Sequence, residues 1–272
     1  MSDPLEPPIR LAVAPPEEET WVEGHVSLKV SGERMEIDVA VPTGPANLTT
    51  LLPVFQGFTD AIVARGTARA VGEGRQVSCR AGCGVCCRQP VPISEPEAHA
   101  LAALVEAMPE PRRTEVRARF TAIERRLEES GLAAQMGSWL EGDNATVLRS
   151  GLDYMRLWMA CPFLEAESCS IYPDRPLICR EYLVTTPAEN CANPGPETIE
   201  RVEIAGRPSS ALVYLGKRAT EGGWLLLVNA LSFAAKHADA PAQHPAPAVV
   251  QAVFGRIAGV GKDAPRATPD AE

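Results

Sequence analysis

All eight cysteines of this chain fall in two short stretches. Four lie in "CRAGCGVCC" (Cys79, Cys83, Cys86, Cys87) and four in "CPFLEAESCSIYPDRPLICREYLVTTPAENC" (Cys161, Cys169, Cys179, Cys191). Cysteines placed only for packing would be scattered. Thiols bunched in this way suit a soft metal, which takes about four thiolates at ~2.3 Å, and closeness in sequence lowers the entropic cost of assembling them. A disulfide framework would need an oxidising compartment. The opening "MSDPLEPPIRLAVAPPEEET" has no basic segment followed by an apolar one, so a secretory leader is not expected. The longest apolar run, "WLLLVNALSFAA" from Trp224, has about half of the ~20 residues a membrane span requires. The expected setting is the reducing cytoplasm, with no membrane partner.

The first stretch reads as a coordinating loop. Gly82 and Gly84 flank Cys83 and allow positive φ, which turns amide hydrogens toward sulfur and stabilises thiolate charge. Cys86 and Cys87 are adjacent, so their side chains are expected to diverge by about 100° in a helix or about 180° in a strand. Two metal centres, or one polynuclear cluster, follow more readily than a single ion. Iron, as an iron–sulfur cluster, is therefore slightly preferred over zinc.

The combination of "CRAGCGVCCRQPVPIS", "CPFL", "CSIYPDRPLICR" and the final Cys191 resembles the YkgJ-type cysteine-cluster family, described as a zinc- or iron-chelating domain. The resemblance spans roughly residues 75 to 195. It implies that Cys79, Cys83, Cys86, Cys87, Cys161, Cys169, Cys179 and Cys191 are the metal-chelating positions, and it includes Pro162, Arg175, Pro176 and Arg180. A flagellin lysine methylase is similar over the cysteine region, but no methyl-donor fingerprint accompanies it here. Arg175 and Arg180 are candidate donors to metal-bound sulfur, compensating thiolate charge; equally, they could serve an ordinary turn and a surface ion pair. Tyr172 and Tyr182 read as packing residues. The spacing C-x3-C-x2-C also occurs in radical enzymes that use S-adenosylmethionine, but the strand and helix repeats of that fold are missing from the pattern.

The remaining sequence is that of a globular α+β protein, mainly helical, with 45% hydrophobic residues and sparse aromatics at 5%. Residues 1–20, rich in Pro and Glu, are expected to form a disordered arm. Residues 21–74 read as a β-hairpin and a helix. Val26, Leu28 and Val30, then Met35, Ile37, Val39 and Val41, alternate with polar residues around "SGE", and Leu48 to Val63 recur at helical spacing with Pro53 near the first turn. Within 75–195, the metal-chelating domain, Ser94 and Glu97 have capping-box spacing, Val116, Phe120, Ile123 and Leu127 share one helical face, and a further helix is expected from Leu148 to Met159. Residues 196–260 form a C-terminal packing segment. Its first part, 197 to 216, fits either two strands or a strand and a helix, and "GGWLLLVNALSFAAKHA" and "PAVVQAVFGRIAG" read as two closing helices. Residues 261–272 are a polar tail expected to be disordered.

A net charge of -9 disfavours nucleic acid as a partner. His25, His99, His237 and His244 lack ligand spacing, and no catalytic constellation is visible. Three functions are consistent with the residues: an iron–sulfur redox or sensing module, a zinc-stabilised interaction scaffold, and an iron–sulfur-dependent modifying enzyme such as a protein lysine methylase. The protein partner is not legible.

Overall fold

The computed structural model describes residues 8–12, 20–80, 82–220 and 222–259. It is an α+β fold dominated by helices. The hairpin is formed by β2 (Trp21–Val30) and β3 (Glu33–Pro42), antiparallel with Val30 opposite Glu33. Ser31 and Gly32 both have positive φ, 47° and 88°, which matches the right-handed twist that a two-residue hairpin turn must follow. Alternation sends Leu28, Val30, Met35, Ile37, Val39 and Val41 into the core and leaves His25, Ser27, Glu36 and Asp38 on the other face.

The arm read over residues 1–20 contains a strand, β1 (Ile9–Ala12), parallel to β3 with Ile9 opposite Ile37. Its short alternation buries Leu11, and the free edge of β3 supplies its partner. The rest of that arm and the 261–272 tail lie outside the described residues.

After β4 (Pro45–Ala46), α1 (Leu52–Gly72) carries Pro53 in its first turn, where a missing N–H costs nothing. Leu52, Val54, Phe55, Phe58 and Ile62 pack into the same core as the sheet, and the Phe58 ring lies 4.8 Å from that of Phe254.

A second apolar cluster is built on β5 (Pro92–Ser94), α2 (Glu95–Glu106) and α3 (Arg112–Glu129). The capping box is present: Glu97 accepts hydrogen bonds from the Ser94 amide at 2.8 Å and the Ser94 hydroxyl at 2.7 Å. Val116, Phe120, Ile123 and Leu127 are all buried on one face of α3. Two shorter helices follow, α4 (Ala133–Gly137) and α5 (Asn144–Arg156); α5 ends before the Met159 expected from periodicity, and Trp158 then turns the chain with a φ of 51°.

The cysteine-rich return contains β6 (Leu164–Glu165), β7 (Ser168–Cys169) and α6 (Leu177–Glu181). Arg201 then forms a β-bridge with Val184, and α7 (Pro208–Gly216) follows, so the ambiguous 197 to 216 segment is extended and then helical. The run expected as one closing helix from Gly222 is divided. Trp224–Leu226 is a strand, β8, paired antiparallel with β5, and only Ala230–Lys236 is helical, as α8. The unbroken "WLLLV" has no 3.6-residue polarity to hold it as a surface helix, whereas β5 offers backbone partners, including the Val91 carbonyl to the Leu227 amide at 2.8 Å. β9 (His244–Pro245) pairs with β4, and α9 (Ala246–Ile257) covers the first core. Among the described residues no helix is long and apolar enough to cross a membrane.

On the exposed face of the hairpin His25 bridges two carboxylates, with Nδ1 2.9 Å from Asp38 and Nε2 2.9 Å from Glu36. Hydrogen bonding to Asp38, then to Glu36, raises the His25 pKa above its ordinary 6.5. A raised folded-state pKa means that this stabilisation is complete below the unfolded value and is lost as pH rises through the folded one. The His25 ring protons should therefore titrate by NMR with a midpoint above 6.5. Asp38→Asn should bring that midpoint back toward the ordinary value; an unmoved midpoint would remove Asp38 as the cause.

Candidate metal centre

The four cysteines of the first stretch are held by backbone pairing with the second. The Ser78 amide donates to the Val184 carbonyl at 2.9 Å, and the Val184 amide donates to Cys79 Sγ at 3.4 Å. Cys86 and Cys87 lie in a 3-10 turn, Val85–Arg88. From it the Cys87 carbonyl accepts the Cys161 amide at 2.7 Å, and the Gln89 side chain donates to the Cys191 carbonyl at 2.9 Å. Cys191 sits in a second 3-10 turn, Ala188–Ala192. Each cysteine segment thus uses the other as its hydrogen-bonding partner.

Only one of the two loop glycines has the expected positive φ. Gly82 has φ of 82°, whereas Gly84 has φ of -96° and is needed for a different reason. A Cβ there would stand 2.6 Å from Glu167 Oε2 and 2.8 Å from Leu164 Cδ1. The loop lies directly on the β6–β7 hairpin, whose turn residues Ala166 and Glu167 have φ of 46° and 57° and whose strand pairing places Leu164 opposite Cys169. Arg88 clasps the two: its guanidinium donates to both Glu167 oxygens, at 2.9 and 2.6 Å, and to the Gly84 carbonyl at 2.9 Å.

Cys179 is on α6, a helix anchored by two buried carboxyl groups whose pKa values burial raises, that of Glu181 to about 7. Glu97 accepts the Leu177 amide at 2.8 Å, and Glu181 accepts the Ser209 amide at 2.8 Å and hydroxyl at 2.7 Å. Arg180 is 4% exposed and is neither a surface ion pair nor a free donor to sulfur. It donates to the Arg175 carbonyl at 3.0 Å, to Asp60 at 2.6 Å and to the Pro173 carbonyl, so it fixes the "YPDRP" turn. Arg175 differs. Its guanidinium lies 3.9 Å over the Tyr172 ring, its Nε is buried with no hydrogen-bond partner, and its charge reaches Cys79, Cys86 and Cys169. Tyr172, read as a packing residue, is 56% exposed and serves as the platform for that cation. The Tyr182 hydroxyl is buried and faces Gln89 and Cys191 without completing a hydrogen bond to either.

All eight cysteines are free thiols; Cys191 is buried and the other seven are half-buried. Cys79 and Cys191 interact electrostatically with Cys83 and Cys86, while Cys161 and Cys179 interact with Cys169 and again with Cys86. Cys86 therefore interacts with both groups. It does not diverge from Cys87 as adjacency suggested: the Cys87 thiol lies beside it and is the largest cause of its raised pKa. Burial pushes up five more thiols, Cys161 to about 12, Cys191 to about 11, and Cys79, Cys169 and Cys179 in the same direction. As the side chains stand, no three His, Cys, Asp or Glu among the described residues close on one point at metal-binding range. The donor set nevertheless fits a soft metal: eight unbridged thiols, partly dry, with the Arg175 guanidinium acting on three of them. His99 is apart from them, its ring 5.7 Å from that of Phe233.

Residues 78–196 match the model of the CxxCxxCC family, described as "Putative zinc- or iron-chelating domain". The resemblance drawn from the cysteine motifs is to this family, and iron or zinc is the cofactor its description gives. The first spacing in this chain is C-x3-C where the family name has C-x2-C, and Gly82 at positive φ lies within that longer step. No curated protein and no solved structure matches the chain.

The close approach at Gly84 generates a test. Gly84→Ala should lower unfolding stability by ~1–3 kcal/mol, the range for overpacking at a closed contact, because Glu167 is held by Arg88 and cannot swing away freely. An unchanged urea midpoint would mean that the hairpin yields at no cost.

Proposed function

We propose that Cys79, Cys83, Cys86, Cys87, Cys161, Cys169, Cys179 and Cys191 hold one polynuclear iron centre of the iron–sulfur kind, with a redox or sensing role. The observation that carries this is the setting of Cys86, which interacts electrostatically with thiols of both groups and has the Cys87 thiol beside it. Two separate tetrahedral zinc ions would each need four thiolates of their own, with no thiol common to both. A contiguous set sharing a central thiol suits a cluster better.

An iron–sulfur cluster supplies one-electron transfer at a potential tuned by charge, hydrogen bonds to sulfur and solvent exposure. The chain's own groups act on those same variables. The Val184 amide points at Cys79 Sγ and withdraws charge from it, Arg175 offsets thiolate charge near Cys79, Cys86 and Cys169, and Phe120 and Phe163 in the adjacent core limit water beside Cys161 and Cys169. The raised pKa values of Cys79, Cys86, Cys161, Cys169, Cys179 and Cys191 mean that these side chains become thiolates against a compensating positive charge, so loading releases protons.

A second reading, a zinc-held scaffold without chemistry of its own, is supported by the shortness of the elements between Cys161 and Cys191: two two-residue strands, 3-10 turns and a five-residue helix. Iron, zinc and acid-labile sulfide per chain, measured on protein purified without oxygen and without a metal-affinity tag, separates the readings. Several irons with matching sulfide support the cluster; about two zincs without sulfide, four thiolates to each ion, establish the scaffold. Cys83→Ser should lose metal and stability together while His99→Ala changes neither. Full metal content in the cysteine variant would overturn both readings.

A further inference from the structure

On the far side of α7 from α6, a cleft of about 640 Å³ opens between α7, β8, the end of α9 and the turn after α4. That volume lies within the ~300–1,000 Å³ of small-molecule sites. The charged side chains lining it, among the described residues, are all cationic, Arg207, Lys217 and Arg256, in a chain whose net charge is -9. Arg207 has the buried Glu181 carboxylate 3.9 Å away. Lys217 and Arg256 have no carboxylate within ion-pair distance among the described residues.

Three aromatic side chains share the cleft: Trp139, Tyr214 and Trp224. Trp139 is fixed by its Nε1 donating to the Val147 carbonyl at 2.7 Å. The Arg256 guanidinium is stacked 3.6 Å over the Tyr214 ring, which is 48% exposed. Stacking engages the flat face of a guanidinium and leaves its N–H edge available to an oxyanion, so the cation is oriented before a ligand arrives. Positive charge concentrated in a concave apolar site, against the sign of the whole molecule, attracts a small anion with a ring to bury.

We propose that this cleft binds a small organic anion carrying a planar ring, with its charge held by Arg256 and Lys217 and its ring against the aromatic wall. A nucleotide phosphate and an aromatic carboxylate share that chemistry. The site is independent of which metal the cysteines hold.

The test uses the full metal-loaded chain and two fluorescent dyes with the same rings, anilinonaphthalene sulfonate and uncharged phenylnaphthylamine. The sulfonate should bind one saturable site about tenfold or more tighter than the neutral dye, since a charge-assisted contact distinguishes them. Arg256→Gln with Lys217→Gln should abolish that preference, with an unchanged far-ultraviolet circular dichroism spectrum and metal content verifying the fold. Displacement of the sulfonate by AMP assigns a phosphate ligand, and displacement by indole carboxylate assigns a carboxylate. Equal affinity for the two dyes, a preference that survives the double substitution, or displacement by neither competitor would overturn the proposal.

Discussion

The carboxylate of Glu97 is the contact on which the arrangement around the cysteines depends. It is 1% exposed, closes the N-terminus of its own helix through Ser94, and with its other oxygen accepts the Leu177 amide that begins the helix of Cys179. One buried group thereby fixes α2 and α6 against each other across 80 residues of chain. Arg180, its nearest cation, turns the opposite way to hold Asp60 and the turn that presents Arg175. Glu181 repeats the device toward α7. Replacing Glu97 would leave the Ser94 and Leu177 amides without an acceptor in the interior, which costs about 1–3 kcal/mol for each unsatisfied group. These buried carboxyl groups are structural first, and they explain how so short a helix can hold Cys179 in place.

What could be read from the sequence follows from which interactions are local. The hairpin, the capping box and the apolar stripe of α3 are local, since Ser94 and Glu97 need only each other and Val116 to Leu127 need only a helix. Their sequence signals were sufficient. The strand at Trp224 was not legible, because "WLLLV" becomes a strand only through β5, more than a hundred residues earlier. The same reason hid Arg180. A motif marks it as important, yet its role is set by Asp60 on α1 and by carbonyls of a turn whose shape it also determines. Gly84 was correctly singled out with the wrong cause: positive φ was expected, and the constraint is the hairpin pressed against it. The cationic cleft left no trace in the sequence, since Arg207, Lys217 and Arg256 come from segments with no common pattern.

The cysteine segments also show why a proposed chelate belongs to folding as much as to function. Between Cys161 and Cys191 the regular elements are too short to be stable alone, and hydrogen bonds such as Cys161 to Cys87 and Gln89 to Cys191 join two irregular chains to one another. Neutral thiols add little to such a structure. Burial has moved them far toward the neutral form, so the same groups become strong fastenings when a soft cation supplies the charge that burial withholds. The free energy of metal binding and the ordering of this region are then one quantity, and Arg175, with its buried Nε unpaired, is part of the charge balance on either side of it.

Charge balance also sets the two candidate sites apart. Around the cysteines, eight potential anions outnumber the cations Arg88, Arg175 and Arg180 that act on them, which favours a positively charged guest. In the cleft beside α7, two cations without carboxylate partners among the described residues stand with aromatic rings, which favours a negatively charged one. Between α6 and α7, the Glu181 carboxylate accepts from Ser209 and has Arg207, which lines the cleft, 3.9 Å away. A chain with a net charge of -9 can sustain a cationic pocket because screening confines each field to about 8 Å at physiological salt, so local placement rather than total charge decides what each site attracts.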